Sequence, residues 1–489
     1  MTIDPRTPVI VGASEISART ADAEPIALMI EVAEQALSGN SVLRSQISSV
    51  RVVKGIWPYA DPGRLVAARL GMDTARTAIT QLGGNGVYDV VNETAASVQA
   101  GELDAALICG AETMRTRRKD KSEGRRSSYL TEREDARPDL VLGSTRDLVD
   151  QSDIDAEAFH PVNFYAMAES AIRHRNGESR ATHRDRIAAM WARGSAVAAD
   201  NSHAWLRSRT SAEDIAMVGP ANRMVASPYT KLMTSNINVD QAAALVICSL
   251  ATAQAAGMRD DQVVFLHAGS GASDAWLMRQ RLELDRSPAI RLAGTRVLEL
   301  ARTSIDEIDH LDLYSCFPAA VQVAQTELAI DADRPFTTTG GLTFAGGPYN
   351  GYCTQALAHT TNMIAGTNES ALLTGNGGFF TKHSFCVVSG RPPDGRFRYE
   401  RPQSEVDSVG SRAIAPTSPS AGTIEAYTVT HDRAGEPERG ILAVIDADET
   451  RSWAKIEEPS AVLALLDDDL VGSRVDLRQS QPLTASLAS

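Results

Sequence analysis

The sequence contains few cysteines, and their spacing excludes the usual disulfide and metal patterns. There are five in 489 residues, and no two have the C-x-x-C spacing. An odd number of widely separated cysteines predicts neither a disulfide framework nor a thiolate zinc site. Apolar or small residues lie near each of them, so we expect no bound metal and five buried thiols, at Cys109, Cys248, Cys316, Cys353 and Cys386.

Basic residues and long apolar runs are also scarce. The chain has 48 Lys and Arg against 62 Asp and Glu, a net charge of −14, whereas nucleic-acid binding needs a basic surface. No apolar run reaches the roughly 18 residues of a membrane helix. Residues 1–6 do not have the basic and apolar regions of a secretory signal. We therefore expect a cytoplasmic protein with no membrane span and no nucleic-acid partner.

Several common catalytic motifs are missing. The sequence has no P-loop, no G-x-G-x-x-G after a strand-like run, no H-E-x-x-H and no G-x-S-x-G. Nucleotide hydrolysis, dinucleotide redox chemistry, zinc proteolysis and α/β-hydrolase chemistry therefore have no support. The content of 43% apolar and 22% charged residues is that of a folded globular protein.

Strand-like apolar runs alternate with amphipathic helices, which is typical of a mostly parallel α/β sheet. One helix-then-strand unit occurs twice at a constant offset of 265 residues (Asn85 against Asn350). Most identities fall at turns, where glycine relieves backbone strain, so the repeat indicates a duplicated α/β half. The matched pairs are Asn85/Asn350, Gly86/Gly351, Ala100/Ala365, Gly101/Gly366, Ala106/Ala371, Leu107/Leu372 and Gly110/Gly375.

The two loops that open the repeated helices are residues 83–86 and 346–351, and both are rich in glycine. Backbone N–H groups at a helix N-terminus favour negative charge or a developing oxyanion. A pseudo-twofold fold brings the two loops together, which predicts a shared site. For either loop alone, a tight turn is the simpler explanation.

Seven stretches of the sequence resemble the thiolase superfamily, most closely the sterol-carrier-type thiolases and the actinobacterial proteins similar to acetyl-CoA acetyltransferase. They lie in the family's order over roughly residues 5–395, at 83–87, 104–114, 227–232, 240–247, 312–317, 340–348 and 375–378. The resemblance implies the thiolase fold, an α/β fold of two duplicated βαβαβαββ halves in five αβαβα layers.

The predicted domains follow from this resemblance and from composition. Residues 1–260 form the first half, with a loop domain inserted at about 113–239, and residues 261–395 form the second half. Pro, Ser and Gly predict a linker at 396–420, and alternating strands predict a small OB-like β-barrel at 421–489. Thiolases are usually dimers or tetramers, so the resemblance implies a homodimer, and a monomer stays open.

The family's catalytic residues are absent from the matching positions. Gly83 stands where thiolases have the nucleophilic cysteine, and Gly347 stands where they have the activating histidine. Glycine can neither attack a thioester nor activate a thiol. Tyr314 takes the place of the family's Asn or His, and the second catalytic cysteine falls near Thr374 to Asn376. No catalytic residue is certain, and whether the protein is an enzyme is left open.

Other candidates lie in segments that line the family's pocket. A phenol with a lowered pKa serves as acid or base in carbon–carbon cleavage, although aromatic rings that fill vacated space are the simpler explanation. The candidates are Tyr314, Tyr349, Tyr352, Lys382 and His383.

A basic run opens the loop domain and includes Arg115, Arg117 and Arg118. In thiolases the loop domain holds the nucleotide end of CoA, whose 3′-phosphate suits arginine. The resemblance therefore implies CoA or acyl-CoA as a ligand, with no covalently bound cofactor. The alternative is a solvated loop.

Three functions are compatible with these features. The first is an acyl-CoA-binding thiolase homologue without thiolase activity, linked to lipid, fatty-acid or sterol metabolism. The second is a retro-aldolase that uses tyrosines on acyl-CoA esters. The third is a non-catalytic interaction scaffold in which the C-terminal domain binds a protein partner.

Overall fold

The fold is seen in a computed structural model that describes residues 3–19, 22–415 and 417–487. Its strands, in chain order, are β1 (Pro8–Ser17), β2 (Ile47–Val52), β3 (Arg76–Thr80), β4 (Ala105–Thr113), β5 (Leu140–Leu142), β6 (Met224–Ala226), β7 (Tyr229–Thr230), β8 (Asp240–Ser249), β9 (Val264–Ser273), β10 (His310–Asp312), β11 (Ser370–Gly377), β12 (Lys382–Ser389), β13 (Arg398–Glu400), β14 (Ala421–His431), β15 (Pro437–Ile445), β16 (Arg451–Ile456), β17 (Arg474–Arg478) and β18 (Leu483–Leu487).

The α-helices connect these strands and cover the main sheet. In chain order they are α1 (Pro25–Leu37), α2 (Ser41–Gln46), α3 (Pro62–Arg69), α4 (Gly86–Ala100), α5 (Met114–Ser122), α6 (Gln151–Asp155), α7 (Pro161–Arg175), α8 (Arg180–Asp200), α9 (Ala212–Ala216), α10 (Leu250–Ala255), α11 (Pro288–Ala301), α12 (Pro318–Glu327), α13 (Gly341–Phe344), α14 (Tyr352–Ile364), α15 (Gln403–Val409) and α16 (Pro459–Asp467).

The first half contributes five neighbouring strands, in the order β3–β2–β4–β8–β1. Strand β2 is parallel to β3 and β4, whereas β8 is antiparallel to β4 and β1. Every residue of β4 and β8 is buried. Burial on both faces explains why these strands read as continuous apolar runs rather than as alternating patterns.

The second half repeats this arrangement in the order β10–β11–β12–β9. Among the described residues, no strand of the second half corresponds to β3. At that position, next to β10, the chain makes a backbone hydrogen bond from Leu313 N to Phe336 O (2.8 Å). Strands β1 and β9 pair at Val9–Phe265 and join the two halves into one sheet. The duplicated α/β half predicted from the repeat is thus confirmed.

The repeated helices α4 and α14 pack across the halves. Helix α4 contacts β9 and β12 of the second half, and α14 contacts β1 and β8 of the first. Glycine recurs where each helix ends because the backbone there is left-handed, with φ of 79° at Gly101 and 73° at Gly366. The crossed packing places the N-termini of both helices at the centre of the molecule.

The C-terminal strands close into a five-stranded barrel, in the order β14–β15–β16–β18–β17 and back to β14. Helix α16 lies between β16 and β17 in the chain. The barrel has its own apolar core, which includes Ile424, Val429, Leu442 and Val444. The small barrel predicted from alternating strands is confirmed, and β18 and α16 are additions to that prediction.

The barrel is joined to the rest of the chain by specific contacts. Strand β14 pairs with β6 of the loop insertion at Thr430 and Ala226. The fully buried guanidinium of Arg451 bonds Glu425 within the barrel and the carbonyl of Arg281 in the second half. These contacts hold the barrel against both the insertion and the core.

Residues 396–420, whose composition predicted a linker, contain β13 and α15. Strand β13 is parallel to β9, and the Gln403 side chain bonds both the N–H and the carbonyl of Ser273 (2.8 Å each). A polar segment can therefore pack against a sheet when its side chains form hydrogen bonds with the free backbone N–H and C=O groups of a strand. The domain boundaries stay predictions. None of the described helices is both long and apolar enough to cross a membrane.

Candidate functional site

The first glycine loop connects β3 to α4 and has a backbone that only glycine adopts easily. Gly83 has a φ of 135°. A Cβ atom built on it would lie 2.5 Å from Asn85 Oδ1 and 2.9 Å from Lys382 Nζ. This loop leaves no room for a side chain at position 83 unless both neighbours move.

The second glycine loop precedes α14 and is more open. A Cβ on Gly347 would have Leu342 O as its nearest neighbour, at 3.4 Å, an ordinary contact. The structure brings the two loops together through Asn350, whose Oδ1 accepts a hydrogen bond from Gly83 N (2.9 Å) and whose Nδ2 donates to Lys54 O (2.7 Å). The Gly83 N–H is therefore occupied and not available to an oxyanion in this conformation.

Tyr314 lies directly over the first loop. A Cβ on Gly84 would be 2.7 Å from the Tyr314 hydroxyl and 2.7 Å from Asn376 O, so the phenol fills the space beside Gly84. Burial raises the pKa of Tyr314 well above its usual range. Near neutral pH this phenol can donate a hydrogen bond, but it cannot act as a base.

The other two candidate tyrosines have different environments. Tyr352 is buried, and its hydroxyl donates to Asp312 Oδ1 (3.0 Å) and bonds Thr339 Oγ1 (2.8 Å). It packs edge-on to Tyr314, with ring centroids 5.9 Å apart. Tyr349 is 38% exposed and has a φ of 51°. Tyr352 is thus committed to a structural network, and Tyr349 faces solvent.

Residues 374–376, which the resemblance matches to the second catalytic cysteine, form hydrogen bonds with two tyrosines. Thr374 Oγ1 accepts from Tyr314 N (2.9 Å), and Asn376 Nδ2 donates to Tyr165 Oη (2.9 Å). The buried Oδ1 of Asn376 has no hydrogen-bond partner among the described residues. Neither side chain supplies a thiol, an imidazole or a carboxylate.

Lys382 and His383 point to opposite sides of β12, because side chains alternate along a strand. The Lys382 ammonium donates to Leu82 O beside the first loop, and burial lowers its pKa. His383 bonds Phe380 O (2.6 Å) and lies 3.7 Å from Asp274. The structure therefore places Lys382 in the site and His383 outside it, contrary to the expectation for His383.

All five cysteines are buried, as the sequence predicted. Burial raises the pKa of four of them to about 12 and raises that of Cys353 well above its usual range. Such thiols stay protonated near neutral pH and are poor nucleophiles. Within residues 3–19, 22–415 and 417–487, no group of His, Cys, Asp and Glu side chains is placed to hold a metal ion.

The three predicted CoA-binding arginines lie around one helix, α5, and do not form one surface. Arg115 pairs with the buried Asp240 (3.2 Å), and Arg118 is exposed. Arg117 donates to Ile56 O and lines a surface groove. Of the three, only Arg117 is next to the glycine loops.

This groove, the loop groove, has a volume of about 490 Å³. Leu82, the residue before Gly83, lies at one side of the groove. The cationic side chains of Lys54 and Arg117 line it together with aromatic rings. Lys54 Nζ lies 5.1 Å from the Trp57 ring, and burial lowers the Lys54 pKa. The residues that line the groove include Lys54, Trp57, Leu82, Arg117, Tyr129 and Tyr349.

Sequence reasoning missed Lys54, Trp57 and the bridging role of Asn350. A signal existed for the first two, since they follow β2, and ligand sites in parallel sheets collect at the carboxyl ends of strands. The sequence repeat identifies Asn350 only as the match of Asn85. Its bond to Gly83 required knowledge of how the halves face each other.

Comparisons with known proteins agree with this architecture. The family described as "Thiolase-like protein type 1 additional C-terminal domain" matches residues 402–481. The crystal structure of a monomeric SCP2-thiolase-like protein type 1 from Mycobacterium smegmatis is 28% identical, covers 100% of both chains and has a TM-score of 0.85.

Two more distant structures share the fold of the core. The dimeric peroxisomal thiolase of Saccharomyces cerevisiae is 13% identical, with a TM-score of 0.57, and the Ltp2-ChsH2(DUF35) aldolase is 16% identical, with a TM-score of 0.58. Each match covers 79% of this chain and 98% of the other. The fold is therefore the thiolase fold with a small barrel added, as predicted. This chain is a thiolase-like protein with an additional C-terminal domain.

Proposed function

We propose that this protein binds acyl-CoA in the cytoplasm and does not catalyse thiolysis. The observation that carries the proposal is the backbone of Gly83. The resemblance to thiolases assigns this residue to the nucleophile position, and its φ is one that side chains rarely adopt. Thiolysis needs a thiolate at this point, and the five thiols of the chain are buried and protonated near neutral pH.

The loop groove supports acyl-CoA as the ligand. Arg117 and Lys54 place two cations at its wall, where phosphate oxygens are favoured. Trp57, Tyr129 and Tyr349 offer aromatic faces for an adenine ring or an apolar chain. Because Leu82 continues into Gly83, a thioester bound in the groove would lie beside the paired glycine loops. The bound acyl groups are proposed to come from lipid, fatty-acid or sterol metabolism.

Two measurements test this proposal together. Calorimetric titration with CoA and acetyl-CoA should show binding, and acetoacetyl-CoA thiolysis should stay far below the ordinary range of about 1–10³ s⁻¹. Arg117→Gln should weaken CoA binding by about tenfold, the effect of losing one charged hydrogen bond.

Arg118→Gln is the matched control, because Arg118 lies on the same helix and is exposed. It should bind CoA like the wild type. Thiolysis at ordinary rates, no CoA binding, or equal effects of the two substitutions would each refute the proposal.

A second candidate function is retro-aldol cleavage, which the position of Tyr314 favours. Its hydroxyl lies against Gly84 and is not committed to a buried carboxyl, as that of Tyr352 is. In this reaction the β-hydroxyl of the thioester loses its proton to a base from the solvent, its oxygen becomes the carbonyl oxygen of the product, and the Cα–Cβ bond breaks. An aldehyde or ketone leaves, and the enolate takes up a proton. Tyr314 would stabilise the developing enolate oxygen by donating a hydrogen bond.

The test is release of aldehyde or ketone from β-hydroxyacyl-CoA esters. Tyr314→Phe should abolish release, and Tyr349→Phe should reduce it less. No release by the wild type, or undiminished release by Tyr314→Phe, would remove this function.

A further inference from the structure

A second cavity, larger than the loop groove, lies where Arg146 of the loop insertion, the second half and residues 401–412 meet. Its volume is about 930 Å³, within the range of small-molecule sites. We call it the arginine cleft, because six arginines line it: Arg146, Arg281, Arg286, Arg291, Arg401 and Arg412. We propose that this cleft binds a phosphate-bearing small molecule of nucleotide size.

The charge of the cleft is opposite to that of the chain. Its six arginines face four acidic residues, whereas the whole chain carries a net charge of −14. The four are Asp274, Glu283, Glu327 and Asp407. A concave region of one sign on an oppositely charged protein concentrates anions locally.

Half of these arginines already have a carboxylate partner. Arg281 pairs with Asp274 (3.3 Å), Arg286 pairs with Glu327 (2.6 Å), and Arg401 pairs with Asp89 (3.3 Å).

The other three have no such partner among the residues that the structure describes. Arg146 stacks over Trp276, 5.0 Å from the ring centroid, and Arg412 donates to the carbonyls of Leu282 and Glu449. Arg291 is exposed and is in no ion pair with the described residues. These three positive charges are the ones available to an anion.

Arg281 is a buried cation in the wall of the cleft. It is 3% exposed, and its buried Nε has no hydrogen-bond partner among the described residues. Two backbone carbonyls, Phe380 O (2.8 Å) and Arg286 O (2.7 Å), hold the guanidinium in place. Arg281 is thus a fixed positive charge in the wall, and the side chains left to contact an anion directly are Arg146, Arg291 and Arg412.

Phosphate is the anion that this arrangement favours. Guanidinium groups present planar pairs of N–H donors that match phosphate oxygens, and several arginines at one cavity suit a ligand with more than one phosphate. Trp276 adds an aromatic face at the same wall, and aromatic side chains stack readily on nucleobases. The volume is sufficient for a base, a sugar and phosphates.

The cleft also connects separate parts of the chain. Arg412 bonds Glu449 O in the barrel (2.8 Å) and Leu282 O in the second half (2.9 Å). A ligand held by Arg291 and Arg412 would touch both sides of this junction. Binding should therefore raise the unfolding temperature of the full chain.

The experiment titrates ATP, ADP and inorganic phosphate into the full-length protein, by calorimetry and by thermal unfolding. ATP should bind most tightly, raise the unfolding temperature, and bind less tightly as salt increases. Arg146→Glu and Arg291→Glu should each weaken ATP binding by about tenfold or more. The control is Arg433→Glu, an exposed arginine in a barrel turn, which should bind ATP like the wild type.

Four results would overturn the proposal. They are no binding of any of the three probes, inorganic phosphate binding as tightly as ATP, equal loss in Arg433→Glu and Arg291→Glu, and loss of ATP binding in Arg117→Gln but not in Arg291→Glu. The last would place the nucleotide in the loop groove. Because CoA binding is tested at Arg117, the two sites can fail separately.

Discussion

The two glycine loops occupy matching positions in the two halves, yet they tolerate different changes. Gly83 has a backbone reserved for glycine, and Lys382 from the other half reaches into the space above it. Gly347 has ordinary backbone geometry and neighbours at van der Waals distance. The two positions hold the same residue under different constraints. Position 83 combines a positive φ with close side-chain neighbours, and position 347 has neither.

This difference indicates that the family's catalytic cysteine would be harder to accommodate at position 83 than a side chain would be at position 347. At position 347 an added Cβ atom would make only ordinary contacts. At position 83 a thiol would have to displace both Asn85 and Lys382.

Gly83→Cys should lower the free energy of unfolding by about 3 kcal/mol, because it combines left-handed strain with overpacking. Urea unfolding of the variant and the wild type measures the difference. The variant should also fail to cleave acetoacetyl-CoA at thiolase rates. A variant as stable as the wild type would show that the loop is not locked.

Only the first half carries the loop insertion, and the contact of this insertion with the barrel should make the free energy of unfolding depend on pH. Asp153 accepts from Trp453 Nε1 in the barrel (2.6 Å), and burial raises its pKa from 3.8 to about 6. The folded chain therefore binds this proton more tightly than the unfolded chain. The resulting stability is complete below about pH 4 and is lost as pH rises through 6.

Asp153→Asn, which cannot titrate, isolates this effect. Between pH 7 and pH 4 the wild type should gain about 2–3 kcal/mol relative to the variant in urea unfolding. Parallel pH profiles of the two proteins would contradict the expectation.

Two tyrosines of the second half should differ in how much their hydroxyls contribute to stability, because that of Tyr352 is bonded within the core and that of Tyr314 lies at the candidate site. Tyr352→Phe removes a donor from the buried carboxyl of Asp312 and should cost about 1–2 kcal/mol of unfolding free energy. Tyr314→Phe should cost less, because its hydroxyl is not bonded to that carboxyl. Equal losses in thermal or urea unfolding would show that both phenols support the fold.

Gly347→Ala should be nearly neutral or stabilise the protein by up to about 1 kcal/mol, because it restricts the unfolded chain at a position without strain. It is the companion of the Gly83 variant and should leave CoA binding unchanged. A loss above about 2 kcal/mol would mean that the second loop is as constrained as the first.

The sequence allowed prediction of the duplicated core and the barrel because glycines and apolar runs obey local rules. Gly101 and Gly366 recur for one reason, the left-handed end of a helix. The site was only partly predictable. The pattern could not show that Arg115 turns to Asp240 while Arg117 turns to the groove, nor that His383 faces away, since these depend on the angle at which elements pack.

The pairing of β14 with β6 has a consequence for the order of folding. Residues 226 and 430 are far apart in the chain, yet they share a sheet. During synthesis the hairpin of β6 and β7 is made long before its neighbour and presents an unpaired edge until β14 arrives. Such late, long-range closure slows folding and exposes strands to wrong partners. Truncation before residue 421 should therefore leave this edge uncovered and make the remaining protein prone to aggregation.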